Sequence, residues 1–360
     1  EERTVGPTLG KDSIRAGLMA TAVGGALVAM FMVAYYWVAG AVAVLALAMN
    51  VLMILGSLGY LHATLTLPGI AGMILTLGMA VDANVLIYER IREELTAGRP
   101  LSLAIHTGYQ KAFSAIIDSN LTTVVAAVFL YWFGTGPIRG FATTLVCGLL
   151  ASMFTAIFVT RVVFDLLLAS GWLKRLPMAH LIRQTKIDFI RRRGLCYALS
   201  ALVIVAGVAA FIQRGPQRYG IDFTGGLLQQ YRVSRPLTAD QVRATLTKVG
   251  RGDAVIQEFG SPTEWLIRTS DDAEAEIEQT MARTREALFS DYGQDAAPEL
   301  VRIDRVGPTV GKVLRQKAWM AIAWSMVGIL LYVAVRFRHV DFGLAGAIAL
   351  THDVVVAVGL

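Results

Sequence analysis

GMAVDANVLIYER, residues Gly78 to Arg90, decides the fold. Between Arg15 and Glu89 the chain carries one formally charged side chain, Asp82. A helix needs about 20 predominantly apolar residues to cross the hydrocarbon of a bilayer. Blocks of that length fall near residues 16–38, 40–61, 68–88, 114–133, 139–168, 196–213, 318–336 and 342–360. Charged residues are 17% of the 360 and hydrophobic residues 55%, against roughly 25% charged in soluble domains. The sequence therefore reads as a polytopic α-helical membrane protein of about eight transmembrane helices. A carboxylate at the bilayer centre costs about 2.5–3.5 kcal/mol on insertion scales, which makes Asp82 a candidate functional residue.

Pro68 suits the first turn of its helix. At 1.5 Å per residue Asp82 then lies about 21 Å along the axis and Arg90 about 12 Å further. This puts Asp82 inside the hydrocarbon slab, nearer the inner side. Gly78 shares its face and leaves room for a close helix approach. Gly69, Gly72, Thr76, Ala80 and Ala83 form a second stripe of small residues about 120° away. Two such stripes predict a helix packed on two sides, with Asp82 facing protein. Burial raises a carboxyl pKa and a nearby cation lowers it, so a group held between the two can load and release protons. The alternative is a structural Asp that caps a helix or pairs permanently.

Basic residues set the orientation. If the first block enters from outside, the inside loops are 89–113, 169–195 and 336–341. They hold Arg90, Arg92, Arg99 and Lys111, then Lys174, Arg175, Arg183, Lys186, Arg191, Arg192 and Arg193, then Arg336 and Arg338. The short outside loops 60–67 and 134–139 hold Arg139 alone. This obeys the positive-inside rule, so the net charge of +6 calls for no nucleic acid. The expected organisation is an extracytoplasmic tail at 1–13, a five-helix membrane block at 14–169 and a basic cytoplasmic linker at 170–195. A helix follows at 196–213, then an extracytoplasmic α+β domain at 214–316 and further helices at 317–360.

Within 214–316, Arg218–Val233 is strand-like with a bulge suggested at Gly225-Gly226. Leu237–Gly250 is a helix with Thr238 as N-cap. Ala254–Phe259 and Glu264–Thr269 read as a hairpin across Gly260-Ser261-Pro262. Asp272–Phe289 is helical and Leu300–Val306 is a last strand. The order βαββαβ matches the split-βαβ, ferredoxin-like pattern.

RTVGPTLGK, Arg3–Lys11, recurs as RVGPTVGK, Arg305–Lys312, with VGPT at an offset of 301 residues. The helices that follow also align: Ala46–Gly56 with Ala349–Gly359, placing Asn50 opposite Asp353 at an offset of 303. Both copies run the same way through the membrane, a parallel repeat of the kind found in transporters. The first residue is Glu1 and the last, Leu360, lies within an apolar run, so the repeat predicts a piece of a longer protein.

Several stretches resemble the SecD and SecF proteins of the resistance-nodulation-division (RND) superfamily. VGPTLG, LPGIAGMILTLGMAVDANVLIYERIREEL, SNLTTVVAAVFLYWFGTGPIRGFATTL and SMFTAIFVTR are similar to SecD. GIDFTGG, VGPTVGK and FGLAGAIALTHDVVVAVG are similar to SecF. Both in one chain imply a fusion of the two. The resemblance implies an accessory subunit of the bacterial Sec translocase, in the cytoplasmic membrane, that uses the proton motive force to promote preprotein export. Some marine and alkaliphilic relatives use sodium. It implies the SecYEG translocon, YajC, secreted preproteins and membrane lipids as partners, and a proton-relay role for Asp82. An RND-type exporter of small molecules or lipids and a passive membrane scaffold are the alternatives.

Other candidates are Asp353 with its neighbour His352, for relay or coupling or for a structural hydrogen bond. Asp118 begins a polar stretch with Asn120, Thr122 and Thr123 that either packs or carries protons. Glu89, Arg90, Arg92, Glu93 and Glu94 read as a solvated, charge-paired helix end, and Asp222 as a turn residue. Cys147 and Cys196 both lie in apolar segments and suggest neither a disulfide framework nor a metal site. With no nucleophile–base pair, metal-ligand cluster or phosphate loop, neither an enzyme nor a cofactor is expected.

Overall fold

Proline fits the first turn of a helix, where its missing N–H would lack a partner anyway. It opens the first membrane helix here. The computed structural model describes residues 2–5, 7–179, 188, 190–213, 223, 226–252, 254–269, 274–293 and 296–359. Strand β1 (Glu2–Val5) leads to α1 (Pro7–Tyr36), followed by α2 (Val38–Tyr60), α3 (Leu67–Thr96), α4 (Leu101–Phe133) and α5 (Gly136–Phe154). A π-turn (Thr155–Val159) continues α5 into α6 (Thr160–Ala169), and α7 is Arg193–Gln213. The rest is β2 (Gly226–Arg232), α8 (Ala239–Lys248), β3 (Val255–Phe259), β4 (Ser261–Thr269), α9 (Glu274–Tyr292), β5 (Glu299–Val306), α10 (Pro308–Phe337) and α11 (Val340–Gly359). Among the described residues eight segments are long and apolar enough to span a membrane. Contacts divide the chain into a helical unit, Ile14–Leu199 with Met320–His352, and a sheet unit, Glu1–Ser13 with Ser200–Trp319 and Asp353–Leu360.

In the helical unit α3 is the central element. Thr66 caps it, its hydroxyl accepting from the Gly69 amide at 3.1 Å, and Pro68 occupies the first turn. The expected inside loop 89–113 is mostly helix: α3 runs on to Thr96, α4 starts at Leu101, and Ala97–Pro100 alone join them. The charged end of α3 and the start of α4 pair with each other, Lys111 Nζ lying 2.6 Å from Glu94 Oε1. Gly108 lets α4 lie against α3, since a Cβ there would stand 2.5 Å from Ile91 Cγ1.

The repeat extends into the corners. Trp37 (φ 51°) turns α1 into α2, and Arg338 (φ 56°), 301 residues on, turns α10 toward α11. Left-handed conformations are uncommon outside glycine. Glycines at an offset of 303 then let the second helix return against the first. A Cβ on Gly40 would lie 2.0 Å from the Met32 carbonyl oxygen, and one on Gly343 3.1 Å from that of Leu330.

The sheet unit has strand order β1-β5-β2-β4-β3, every pairing antiparallel. Its last four strands carry the ferredoxin-like βαββαβ arrangement. Thr238 and Gln241 form a reciprocal capping box at the start of α8. Tyr231, Val242, Leu246, Trp265, Ile267 and Leu288 are buried between sheet and helices. Three details depart from expectation. Gly260 (φ 76°) alone turns β3 into β4, with Ser261 and Pro262 already in the strand. The irregularity in β2 lies between Gln230 and Tyr231 rather than at Gly226, and Gly225 falls outside the described residues. Residues 1–13, expected as a tail, contribute a strand and the start of a helix. Asp222 lies outside the described residues.

β1 pairs with β5 so that Arg3 faces Asp304, and the repeat offset of 301 relates the same two residues. Glu2 faces Arg305 and Thr4 faces Ile303, symmetrically about that pair. A local two-fold relation between the repeated strands therefore passes through Arg3 and Asp304. Only a non-local pairing reveals it, which is why the stretch reads as a tail in sequence.

Two outcomes are expected. Gly40→Ala drives a methyl into the Met32 carbonyl and should destabilise the protein by about 1–3 kcal/mol, as overpacking does. A lowered thermal midpoint in detergent, with Gly24→Ala (open space around the Cβ) near wild type, checks this. The second concerns pH. Lys248 Nζ lies 2.7 Å from Asp291 Oδ2, and Thr245 Oγ1 donates to the same oxygen at 2.7 Å. The Lys248 hydrogen bond, then that of Thr245, holds the Asp291 carboxyl below its usual range, and the same contact holds the ammonium above its own. The stabilisation on the acid side is present above the ordinary carboxylate pKa and lost as pH falls through the lowered one. On the basic side it is present below the ordinary lysine pKa and lost as pH rises through the raised one. The pair is largely exposed, so the effect is small. Urea melts of segment 214–306 should show a shallower acid limb in Asp291→Asn.

Candidate functional site

The rotation of α3 decides where Asp82 points. A Cβ on Gly69 would lie 3.3 Å from Thr144 Oγ1, one on Gly72 3.2 Å from the Phe141 ring, and one on Gly148 2.6 Å from Thr76 Oγ1. A Cβ on Gly140 would lie 2.7 Å from Thr66 Oγ1, so Thr66 meets Gly140 and Thr76 meets Gly148, and α3 and α5 run in the same direction with the small-residue stripe buried between them. Asp82, about 120° away on the helix, is exposed. Gly78 is exposed too, with nothing within 4 Å of a Cβ there. The expectation that Asp82 faces protein across a second packed face is therefore corrected. One stripe carries the packing on α5, and the Asp82 face looks outward from the described helices.

Asp118 Oδ1, on α4, accepts from Tyr332 Oη at 2.8 Å and from Arg336 Nε at 2.7 Å, which ties α4 to α10. Asn120 Nδ2 donates to the Ile116 carbonyl at 2.8 Å, and Thr122 and Thr123 donate to that of Ser119. Asp118 and Asp82 share no hydrogen bond. On α11, His352 is half-buried and Asp353 exposed.

The C-terminal end of α3 is charge-paired as its sequence suggests, with Arg90 and Glu93 paired at the exposed surface at 2.7 Å, but it is solvated only in part. Glu94 is buried, 4% exposed, between Lys111 Nζ at 2.6 Å and Arg99 Nε at 2.9 Å. Arg92 binds Glu89 at 2.8 Å, lies over the rings of Tyr35 and Tyr36, and donates to the Ala179 carbonyl at 3.1 Å. Glu89 also accepts from Tyr36 Oη at 2.7 Å. The Ala179 amide returns a bond to the Tyr35 carbonyl at 2.8 Å, while Leu173 and Leu176 enter the core beside Tyr88 and Phe164. The start of the basic linker is thus fastened to the helices. The signal in sequence was the i, i+3 spacing of Glu89 and Arg92, which gives the pair and not its burial.

A family model described as protein export membrane protein SecD/SecF, C-terminal, matches residues 1–169 and 285–360. The chain belongs to the SecD/SecF family. SecD of Desulfurispirillum indicum is 59% identical over 178 residues, 49% of this chain and 35% of that protein. SecDF of Bacillus subtilis is 33% identical over 97% of this chain and 49% of its own length. The crystal structure of SecDF from Thermus thermophilus, described as a translocon-associated membrane protein, superposes with a TM-score of 0.87. It is 36% identical, and the match covers 99% of this chain and 48% of that one. A SecDF structure in a super-membrane-facing form gives 0.73 at 35% identity. The chain spans about half the length of the full SecDF relatives it matches. It is a multi-pass membrane protein with the repeat architecture and small sheet domain of this family.

Arg92 joins α1, α3 and the linker at once, so Arg92→Ala should free the linker while α3 and α5 stay packed. Trypsin added to the inner face is expected to cut after Lys174 and Arg175 several-fold faster than in wild type. Unchanged cleavage kinetics would place the linker's attachment elsewhere.

Proposed function

We propose that this chain is part of an accessory subunit of the Sec translocase that promotes preprotein export across the cytoplasmic membrane with the proton motive force. Asp82 is its proton-carrying carboxyl. Membership of a protein-export family supports the export role, as do relatives named as protein translocase subunits. The SecYEG translocon, YajC and secreted preproteins are the partners of this reading, with protons the coupling ion and sodium the alternative.

The observation that carries the coupling is the placement of Asp82. It is the one formally charged residue between Arg15 and Glu89, and it lies at hydrocarbon depth on the exposed face of α3. Among the described residues nothing donates to its carboxylate. An ionised carboxylate in that position is costly, so the group either takes up a proton or meets a cation from elsewhere in the assembly. Alternation between those two states is what a proton-coupled step needs. A permanent structural pair, such as Asp118 has with Arg336, would hold the carboxylate ionised throughout.

Asp82→Asn keeps the shape and the hydrogen-bonding capacity and removes the acid. The variant of the full-length protein should insert at wild-type levels, because removing a charge from an apolar helix lowers its insertion cost. Late-stage preprotein release from membrane vesicles should lose its response to an imposed proton gradient, with ATP-driven early translocation intact. Asp82→Glu should retain part of the response. A wild-type response in Asp82→Asn at matched protein level would make Asp82 structural.

A further inference from the structure

The face of α3 opposite Asp82 is closed and polar. Asn50 of α2 is fully buried, and its amide nitrogen reaches the Gly148 carbonyl at 3.4 Å. Its Oδ1 has no hydrogen-bond partner among the described residues. Thr76 fits against Gly148 at the same level. One turn inward on α5, Ser152 is fully buried and its hydroxyl has no partner. One further turn inward on the parallel helix α3, Asn84 (2% exposed) gives its amide hydrogens to the Ala80 carbonyl at 3.0 Å, leaving Oδ1 without a partner. Another turn along α3, the fully buried Tyr88 hydroxyl is again without one, its ring lying toward Tyr36 of α1 and Phe164 of α6. The π-turn Thr155–Val159, closed by the Thr160 amide on the Thr155 carbonyl, lies beside the last two levels. Such turns mark functional sites more often than chance.

Three orphaned polar atoms at successive levels of one interface, with the Tyr88 hydroxyl one turn beyond, concentrate in one seam what native structures carry at about a few per 100 residues. Each unpaired group in a dry, apolar surrounding is costly, and apolar residues were available at these positions, as Leu47, Leu77 and Ala80 show in the cluster alongside. The two amide oxygens accept only, while the Ser152 hydroxyl donates as well as accepts. Water complements both kinds, and internal waters bind where two or more such groups converge. We propose that the α2–α3–α5 interface binds a row of internal waters, held by Asn50 Oδ1, Ser152 Oγ and Asn84 Oδ1. It forms a hydrated seam on the side of α3 away from Asp82. A bare cation fits less well, because the Ser152 hydroxyl proton would lack an acceptor. The seam is independent of the coupling role given to Asp82.

The test uses the full-length protein in nanodiscs. A density map at a resolution that shows ordered water should place density within hydrogen-bond distance of Asn50 Oδ1, Ser152 Oγ and Asn84 Oδ1. Stability then separates a wet seam from a dry one. With water bound, Ser152→Ala takes away one of its partners and should lower the thermal midpoint by a few degrees. In a dry seam the same change deletes an orphaned hydroxyl and should raise it. A raised midpoint overturns the proposal, as do side chains that pair directly with one another in the map. A midpoint that rises when choline is exchanged for sodium in wild type and not in Asn50→Ala would also overturn it, in favour of a bound cation. If Ser152→Ala fails to insert, the wild-type map decides alone.

Discussion

The notch that Gly148 leaves for Thr76 sets the rotation of α3, and that rotation fixes the surroundings of every side chain on it. A Cβ at position 148 would overlap three atoms of Thr76, so the two helices approach as closely as backbones allow, the usual means of association in lipid. With Thr76, Gly72 and Gly69 held against α5, Asn84 and Tyr88 turn into the interior and Asp82 turns out of it. No other contact has to specify the exposure of Asp82, because it follows from 100° per residue and the notch.

Much of this was legible in the sequence, and the losses have physical causes. Eight apolar blocks, the parallel repeat and the βαββαβ order need only local periodicity and charge, and they reappear in the eight spanning segments and the sheet order. The stripe Gly69–Ala83 was legible because small residues at helical spacing have few other uses in a membrane. Gly78 misled, since a glycine that packs and one that does not are written alike. β1 and the burial of Glu94 and Arg92 were hidden for a common reason. Each depends on a partner far along the chain: β5 for the strand, Lys111 for Glu94 and Ala179 for Arg92.

At the inner end the constraint is electrostatic. Glu94 is enclosed by two cations. Both cations are about half exposed to solvent, so the cluster contributes little net stability. Its effect is therefore on geometry. It fixes the register of α3 against α4 where the helices leave the hydrocarbon, and Arg92 does the same for α1 and the linker. α3 continues unbroken for 30 residues from Leu67 to Thr96, so the level of Asp82 and the level of the Gly148 notch are set by one element.

Within the apolar stretches of α3 and of the paired second helices, the acids and amides differ in burial. On α3 the acid Asp82 is exposed and the amide Asn84 is buried. In the second helices of the repeats, the equivalent positions hold buried Asn50 and exposed Asp353. An amide in a closed interface needs hydrogen bonds and stays neutral, whereas an acid enclosed there would shift its pKa until it was neutral as well. A carboxyl can change its charge at modest cost only where its surroundings can change with it. The exposed face that carries Asp82 is compatible with that condition and the Gly148 interface is not, so the relay role proposed above falls to Asp82 and not to the buried amides.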